Sequence, residues 1–214
     1  MIIGYPGRFG LLRMALFRFF YRRFKYYGLF SLYVCFLVVF LSFKVISPSS
    51  DRYFITSSTV KFVSEAPLEK IVAVSTELKG IIDTETNSFA FSVLNTSFKG
   101  FNSPLQEDHF NENYVESDKN PHCTFSGKII DNVNFDVDGV YVVRAKGILE
   151  VRGIGLERII KSTIEIKSKE VTLTSDFTVL LSDHEIRVPR IVQQKIAPEI
   201  KVFLKAKLVK ETKK

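Results

Sequence analysis

The chain of 214 residues carries 30 Lys and Arg against 23 Asp and Glu, which gives a net charge of +7 at pH 7. Seven of these cations lie in the first 50 residues, which contain no Asp or Glu, so residues 51–214 are neutral as a whole. Binding to nucleic acid needs an excess of cations on one face of a domain. The composition therefore argues against a nucleic-acid partner for residues 51–214.

The N-terminal residues have the pattern of a membrane anchor or an export signal. A basic leader at 1–25 precedes an uncharged, mostly apolar run at 26–43, which is long enough to cross a bilayer as a short helix. The positive-inside rule keeps the leader in the cytoplasm and places everything after the run on the outer, periplasmic side of a bacterial cell membrane. A single-pass transmembrane anchor is favoured, because large or charged residues flank the best cleavage pair, Ser47 and Ser49. Cleavage as a signal would instead release the protein into the periplasm.

A linker at 44–52 leads to one domain at 53–209, in which apolar residues recur with a period of two. This period is typical of half-buried strands. The domain contains one cysteine, Cys123, and so has no internal disulfide. We expect strands at 53–64, 69–82, 89–93, 122–130, 141–152, 158–168, 170–181, 183–188 and 200–208. The fold class is therefore all-β, with an antiparallel sheet that closes on itself, because an open edge of this length would aggregate.

One segment departs from this period and predicts a short helix. Ser103-Pro104-Leu105-Gln106 supplies a serine N-cap, a proline at the first helical position and a glutamine that can close a capping box. A helix that ends near Asn111 would turn Leu105, His109 and Phe110 toward the barrel. It would be a lid over one end or an ordinary covering element.

The sequence offers little for catalysis or for a cofactor. The three histidines, His109, His122 and His184, lie in different segments without the spacing of a zinc site, and we expect each at the surface or in a cap. No Gly-x-Ser-x-Gly motif marks a nucleophile, and the glycines at 147, 153 and 155 precede no helix that would hold a phosphate. We therefore expect a protein that is not an enzyme, with no catalytic residues, no metal and no cofactor.

Several segments in the same order resemble those of the YceI family. They are Ser97-Phe98 to Phe101, His109 to Tyr114, Pro121 to Ile129, Gly147 to Gly153, Ser175-Asp176-Phe177 and Ile186 to Pro189. The resemblance covers residues 56–206 and implies a lipocalin-like, eight-stranded antiparallel barrel whose interior holds a long polyisoprenoid chain. Many members have a histidine before the second glycine, where this chain has Arg152, so no role of that histidine carries over.

An eight-stranded barrel is just wide enough to be filled by its own side chains or to hold one ligand. Both alternatives use the same aromatic residues, as cavity lining or as core: Phe62, Phe89, Phe91, Phe98, Phe101, Phe110, Phe125 and Phe177. We expect an exported, membrane-tethered barrel that binds or sequesters a long apolar lipid, either a polyisoprenoid or a quinone-like molecule. The alternative is an envelope interaction module with a self-filled barrel, and a lipid hydrolase is a third, weaker reading. The sequence leaves the oligomeric state open.

Overall fold

The computed structural model describes residues 51–211. The predicted leader at 1–25, the predicted anchor at 26–43 and nearly all of the linker lie outside the described residues. Within 51–211, no helix has the length and hydrophobicity needed to cross a membrane.

The described residues form nine strands, joined by short loops and helical turns. One α-helix, α1 (Pro104–His109), continues into a π-helical turn at Phe110–Tyr114, and 3-10 turns occupy Asn95–Ser97, Leu181–His184 and Arg190–Val192. The strands are β1 (Arg52–Glu65), β2 (Lys70–Ser75), β3 (Lys79–Asp83), β4 (Ser88–Leu94), β5 (His122–Ile129), β6 (Gly139–Val151), β7 (Ile154–Lys167), β8 (Glu170–Leu180) and β9 (Glu199–Lys210).

The strands form one closed antiparallel barrel. From β3 to β9 each strand pairs with the next, and β9 returns to pair with β1. β2 and β3 pair with opposite halves of β1, so together they occupy one position in the wall and the barrel is eight-stranded. The predicted fold class is thus confirmed, including the single short helix.

The strand predicted at 69–82 is interrupted between β2 and β3. The hydroxyl of Ser58 lies 3.2 Å from the carbonyl oxygen of Thr76 and 3.3 Å from that of Leu78, and so bonds to the chain where the ladder to β1 is missing. β1 also has a register shift to β9 between Ile55 and Ser57. The wall therefore bends at this level, as expected next to a β-bulge.

The prediction of a strand at 183–188 is wrong. Leu181–His184 is a 3-10 turn, which ends at Glu185 with a left-handed φ of 54°. His184 and Ile186 are buried while Glu185 and Arg187 are exposed, so the turn imitates the alternation of a strand. Burial pattern alone cannot distinguish the two.

The end of the barrel where the described chain begins is packed with side chains. Tyr53 at the start of β1 contacts Phe135 from the β5–β6 loop, with ring centroids 5.4 Å apart, and both are buried. Inward residues of the long strands alternate as predicted, for example Val143, Ala145 and Leu149 on β6. We call this the closed end.

Candidate ligand-binding cavity

A cavity of about 510 Å³ lies inside the barrel, between the closed end and α1. It begins at Ile82 and Ile164, deep in the barrel, and reaches the opposite end at Glu69, Leu105 and Lys195. Its wall is almost wholly hydrophobic. Both the volume and the apolar lining are typical of sites for small apolar ligands.

All eight phenylalanines predicted from the sequence border this cavity. They form two clusters and one single residue. A β4–β5 cluster holds three rings, an α1-end cluster holds four, and the remaining ring is on β8: Phe89, Phe91 and Phe125; Phe62, Phe98, Phe101 and Phe110; Phe177. That these rings contact a ligand stays a prediction.

The β4–β5 cluster follows directly from strand geometry. Phe89 and Phe91 are two residues apart on β4, so both rings point inward, with centroids 5.4 Å apart. Phe125 is the cross-strand partner of Phe91 and lies 4.9 Å from Phe89. On its other side Phe91 covers Gly80, where an added Cβ would lie 2.1 Å from the Phe91 ring. The glycine therefore makes room for this ring in the wall.

The α1-end cluster is assembled by tertiary contacts. The ring of Phe62 on β1 lies 5.2 Å from that of Phe98, 5.8 Å from Phe101 and 5.3 Å from Phe110. These three partners come from the segment that contains α1, so the cluster holds this segment against the barrel. Aromatic pairs at such distances contribute about 0.5–1.5 kcal/mol each beyond the area they bury.

The helix is anchored by its first turn. The Ser103 hydroxyl accepts the Gln106 backbone N–H at 3.3 Å, as predicted for the N-cap. The Gln106 side chain does not close a standard capping box, because it accepts the N–H of Asn102, one residue earlier. Its amide donates to the Glu69 carboxylate at 2.5 Å, and Asn102 donates to the same oxygen at 3.0 Å. These two bonds lower the pKa of Glu69 and tie α1 to the β1–β2 turn.

Only part of the predicted inward side of the helix is buried. Phe110 joins the aromatic cluster, but Leu105 is 61% exposed and His109 is exposed as well. Both border the opening of the cavity. All three residues predicted on the inward side thus border the cavity, but only Phe110 packs against other rings, and the helix lies at the edge of the opening.

Sequence reasoning missed the small residues of the cavity wall. Ala145, Ser162 and Ser175 lie at inward positions on β6, β7 and β8. The two serine hydroxyls are 3.1 Å apart, and that of Ser175 donates to the carbonyl oxygen of Lys161 at 3.2 Å. Small residues at inward positions of strands with a period of two could have predicted unfilled space inside the barrel.

A second missed feature is a glycine pair between β5 and β6. Gly127 and Gly147 are cross-strand partners. A Cβ on Gly147 would lie 2.3 Å from the Ser126 carbonyl oxygen, and one on Gly127 would lie 2.1 Å from that of Lys146. Neither position accepts a side chain, because the two backbones approach too closely.

Cys123 borders the cavity near the α1 end, where its thiol lies 3.1 Å from the Asn95 side-chain oxygen. Burial raises the pKa of Cys123 to about 12. The thiol is therefore protonated at neutral pH and unreactive. Asn95 is fully buried and donates to the carbonyl oxygen of Asn120 at 2.7 Å.

Arg152, the residue after β6, has a structural position. It lies with Gly153 in the two-residue β6–β7 turn, both with positive φ, where its guanidinium pairs with Glu116 and donates to the Glu185 carbonyl oxygen at 2.5 Å. Lys119 and then Arg152 hold the pKa of Glu116 at about 2. Arg152 thereby joins the hairpin to the loops on both sides.

The three histidines lie on different elements of the described structure. His184 is fully buried, with Nδ1 3.0 Å from the carbonyl oxygen of Ile154, so its expected surface or cap position is wrong. His122 is exposed on the strand face opposite the cavity, with Nδ1 3.2 Å from the Ser92 hydroxyl. Within residues 51–211, no three His, Cys, Asp or Glu side chains are grouped to hold a metal ion.

A closed eight-stranded barrel with an apolar cavity and a helix at its opening defines a lipocalin-like architecture. Similarity to solved structures defines the fold more closely. A polyisoprenoid binding domain from Saccharophagus degradans implicated in plant cell wall breakdown has a TM-score of 0.63 at 11% identity, covering 74% of this chain and 98% of its own. BcnA of Burkholderia cenocepacia has a TM-score of 0.58 at 14% identity, covering 70% and 95%. A mutant Campylobacter jejuni YceI protein reaches 0.51 at 14% identity, covering 64% and 82%.

The described domain therefore has a YceI-like barrel fold, and the resemblance predicted from the sequence is confirmed at the level of the fold. No family model and no curated protein matches the sequence.

Proposed function

We propose that this chain is an exported, membrane-tethered barrel that binds and sequesters a long apolar lipid, of the polyisoprenoid or quinone type. The observation that carries the proposal is the cavity of about 510 Å³ lined by phenylalanine and aliphatic side chains. A flexible, unbranched or methyl-branched chain suits this site, because the wall between the deep end and the opening offers few polar groups to a ligand.

The hydrophobic effect alone supplies enough affinity. Burying about 400 Å² of apolar ligand surface at about 25 cal/mol per Å² gives about 10 kcal/mol. Association and ordering cost at least about 4 kcal/mol of this. The remaining free energy corresponds to binding in the range of tens of micromolar, and a longer buried chain would bind more tightly. No charged contact is needed.

The likeness to a barrel described as a polyisoprenoid binding domain supports the same ligand class, although identity to it is 11%. The tether rests on the sequence: the basic leader at 1–25, the apolar run at 26–43 and the absence of a cationic excess beyond residue 50. We place the barrel on the outer side of the cytoplasmic membrane, where it would protect a lipid from water.

Two alternatives are disfavoured by particular residues. A self-filled barrel acting as an interaction module would place large side chains where Ala145, Ser162 and Ser175 leave space. A lipid hydrolase would need an activated nucleophile in the cavity. Ser162 and Ser175 bond to each other, whereas His109 is at the exposed opening. We therefore propose a binding protein without catalytic activity or cofactor.

Native mass spectrometry of the full chain, released from mild detergent, tests the proposal. We expect an apolar adduct, identified by solvent extraction, in the wild type. Ala145→Phe places a ring inside the cavity and should abolish the adduct, whereas Ala90→Phe makes the same change at an exposed position of β4 and should retain it. An adduct that Ala145→Phe retains would contradict binding in the cavity, and no adduct in any of the three proteins would contradict lipid binding.

The location has its own test. A reporter fused after Lys214 should be active only outside the cytoplasm, and the protein should stay with the membrane after a salt wash. Release into the soluble fraction would show that the N-terminal segment is cleaved.

A further inference from the structure

The loops at the open end of the cavity carry exposed apolar side chains next to residues that border it. Leu68 in the β1–β2 turn is 67% exposed, Leu105 on α1 is 61% exposed, and Ile191 in the Arg190–Val192 turn is 92% exposed. We call the loops that carry these residues, together with the β6–β7 turn, the cavity rim. Three large apolar side chains at one end of a barrel indicate a surface that is covered in use.

Hydrogen bonds define the order of the loops around the rim. The Leu68 N–H donates to the Gln194 carbonyl oxygen at 2.9 Å, and the neighbouring Glu69 accepts from Gln106 of α1. On the other side, Arg152 contacts both Glu116, which follows α1, and the Glu185 carbonyl oxygen. The α1 segment and the 186–196 segment therefore lie on opposite sides of the rim, with Leu68 and Arg152 between them.

These two sides carry opposite charge. On the α1 side, Asp108 and Glu112 are exposed, and the facing 186–196 segment carries Arg187, Arg190 and Lys195 and no acidic residue. All five are exposed, and none forms an ion pair within the part of the chain that the structure describes. The rim thus combines an apolar surface with one acidic arc (Asp108 and Glu112) and one basic arc (Arg187, Arg190 and Lys195).

We propose that the rim is the docking surface for a second copy of this chain, rim against rim. A two-fold axis that passes near Leu68 and Arg152 brings the acidic arc of each copy onto the basic arc of the other. Such an isologous interface is self-complementary in charge and covers the exposed apolar residues of both copies. An anionic membrane surface fits less well, because it would repel the acidic arc.

The position of the rim leaves it accessible to another molecule. β1 starts at Arg52 near the closed end and reaches the rim 14 residues later, a distance of about 45 Å along the strand. The chain therefore enters the barrel at the end away from the rim. The end face of one barrel is small, so the interface falls at or below about 1,200 Å², and we expect a weak, reversible dimer.

The dimer also bears on the ligand. Two cavities that open toward each other across the rim would share a chain too long for either alone, a consequence that rests on the lipid-binding function proposed above. The dimer itself stands on the rim residues, so the experiment below measures association without any ligand readout. Its failure would leave the lipid-binding proposal untouched.

Cysteine cross-linking of the full chain in membranes tests the proposal. In a Cys35→Ser, Cys123→Ser background, Leu68→Cys lies near the two-fold axis and should form an intermolecular disulfide under mild oxidation. Ile130→Cys is the matched control, because Ile130 is 45% exposed near the closed end and should not cross-link. Equal yields at the two positions, or none at Leu68→Cys, would overturn the proposal.

Charge exchange makes the test specific. In the Leu68→Cys chain, reversing the acidic arc (D108K, E112K) or the basic arc (R187E, R190E, K195E) should lower the cross-link yield about tenfold. Co-expression of the two variants should restore it, because all-positive and all-negative rims are complementary. Unfolding temperatures close to that of the parent establish that both variants fold. Failure of co-expression to restore the yield, or a photoreactive group at Ile191 that labels lipid instead of protein, would refute a rim-to-rim dimer.

Discussion

The Phe91→Ala variant distinguishes a cavity that holds a ligand from an ordinary hydrophobic core. Phe91 borders the cavity, stacks on Phe89 at 5.4 Å and covers Gly80. Removing a buried phenylalanine ring costs about 3–5 kcal/mol, and the half-buried ring of Phe91 should cost about 3. In a domain of this size, that loss lowers the melting temperature by about 6–12 °C.

A bound lipid should reverse part of this loss, because its chain can occupy the volume that the ring leaves. Ligand at a hundredfold excess over Kd stabilises the wild type by about 2.7 kcal/mol through mass action. The variant should gain more than this, since the lipid also replaces contacts of the missing ring. Phe135→Ala is the matched control, because Phe135 is buried against Tyr53 at the closed end and does not border the cavity.

The measurement is thermal unfolding of wild type and both variants, with and without isoprenoid alcohols of increasing chain length. We expect the lipid-dependent shift to be larger for Phe91→Ala than for wild type and unchanged for Phe135→Ala. Equal shifts in the two variants would show that Phe91 does not line the ligand site. No shift in any of the three proteins, at any chain length, would refute lipid binding.

Three further predictions concern residues outside this aromatic cluster. Cys123→Ser should cost about 1 kcal/mol in denaturant unfolding and leave lipid binding unchanged, since serine can keep the bond to Asn95; a lost ligand would point to a role for the thiol. Lys169→Gly should raise stability by about 0.5–1 kcal/mol, because Lys169 has a φ of 70° in the β7–β8 turn, and a lower melting temperature would contradict this. The pKa of Glu116 is lowered from 4.5 to about 2, so its ionised form stabilises the fold above about pH 4.5, and this contribution is lost as the pH falls toward 2. Arg152→Gln should weaken this loss in unfolding curves measured against pH, and an unchanged profile would exclude the pair as its source.

The fold could be predicted because period-two alternation is a local property of each strand. Where a local signal was ambiguous, the prediction failed, as at 183–188, where a 3-10 turn buries alternate residues. The start of α1 was predictable from its serine and proline. Its continuation into a π-helical turn was not, because that turn accompanies the packing of Phe110 on Phe62, a contact between distant segments.

The aromatic part of the cavity was predictable for the same reason as the strands. Once Phe89 and Phe91 share a face, the face with large apolar side chains is the inner one. The opening was not predictable, because it depends on hydrogen bonds between loops, such as those of Gln106 to Glu69 and of Leu68 to Gln194. The residues of such pairs are far apart in the sequence, so no local pattern predicts their hydrogen bonds.

The cavity exists because its wall is asymmetric. On one side, β4 and β5 contribute the stacked rings of Phe89, Phe91 and Phe125, whereas β6, β7 and β8 contribute Ala145, Ser162 and Ser175 at inward positions. Rings on one side cannot fill the space left by small residues on the other, since their own positions are set by stacking on each other. A barrel selected only for stability would gain about 0.8 kcal/mol for each methylene group added to the small side. The retention of small residues on three adjacent strands is therefore the feature of this chain that most favours a bound ligand over a self-filled core.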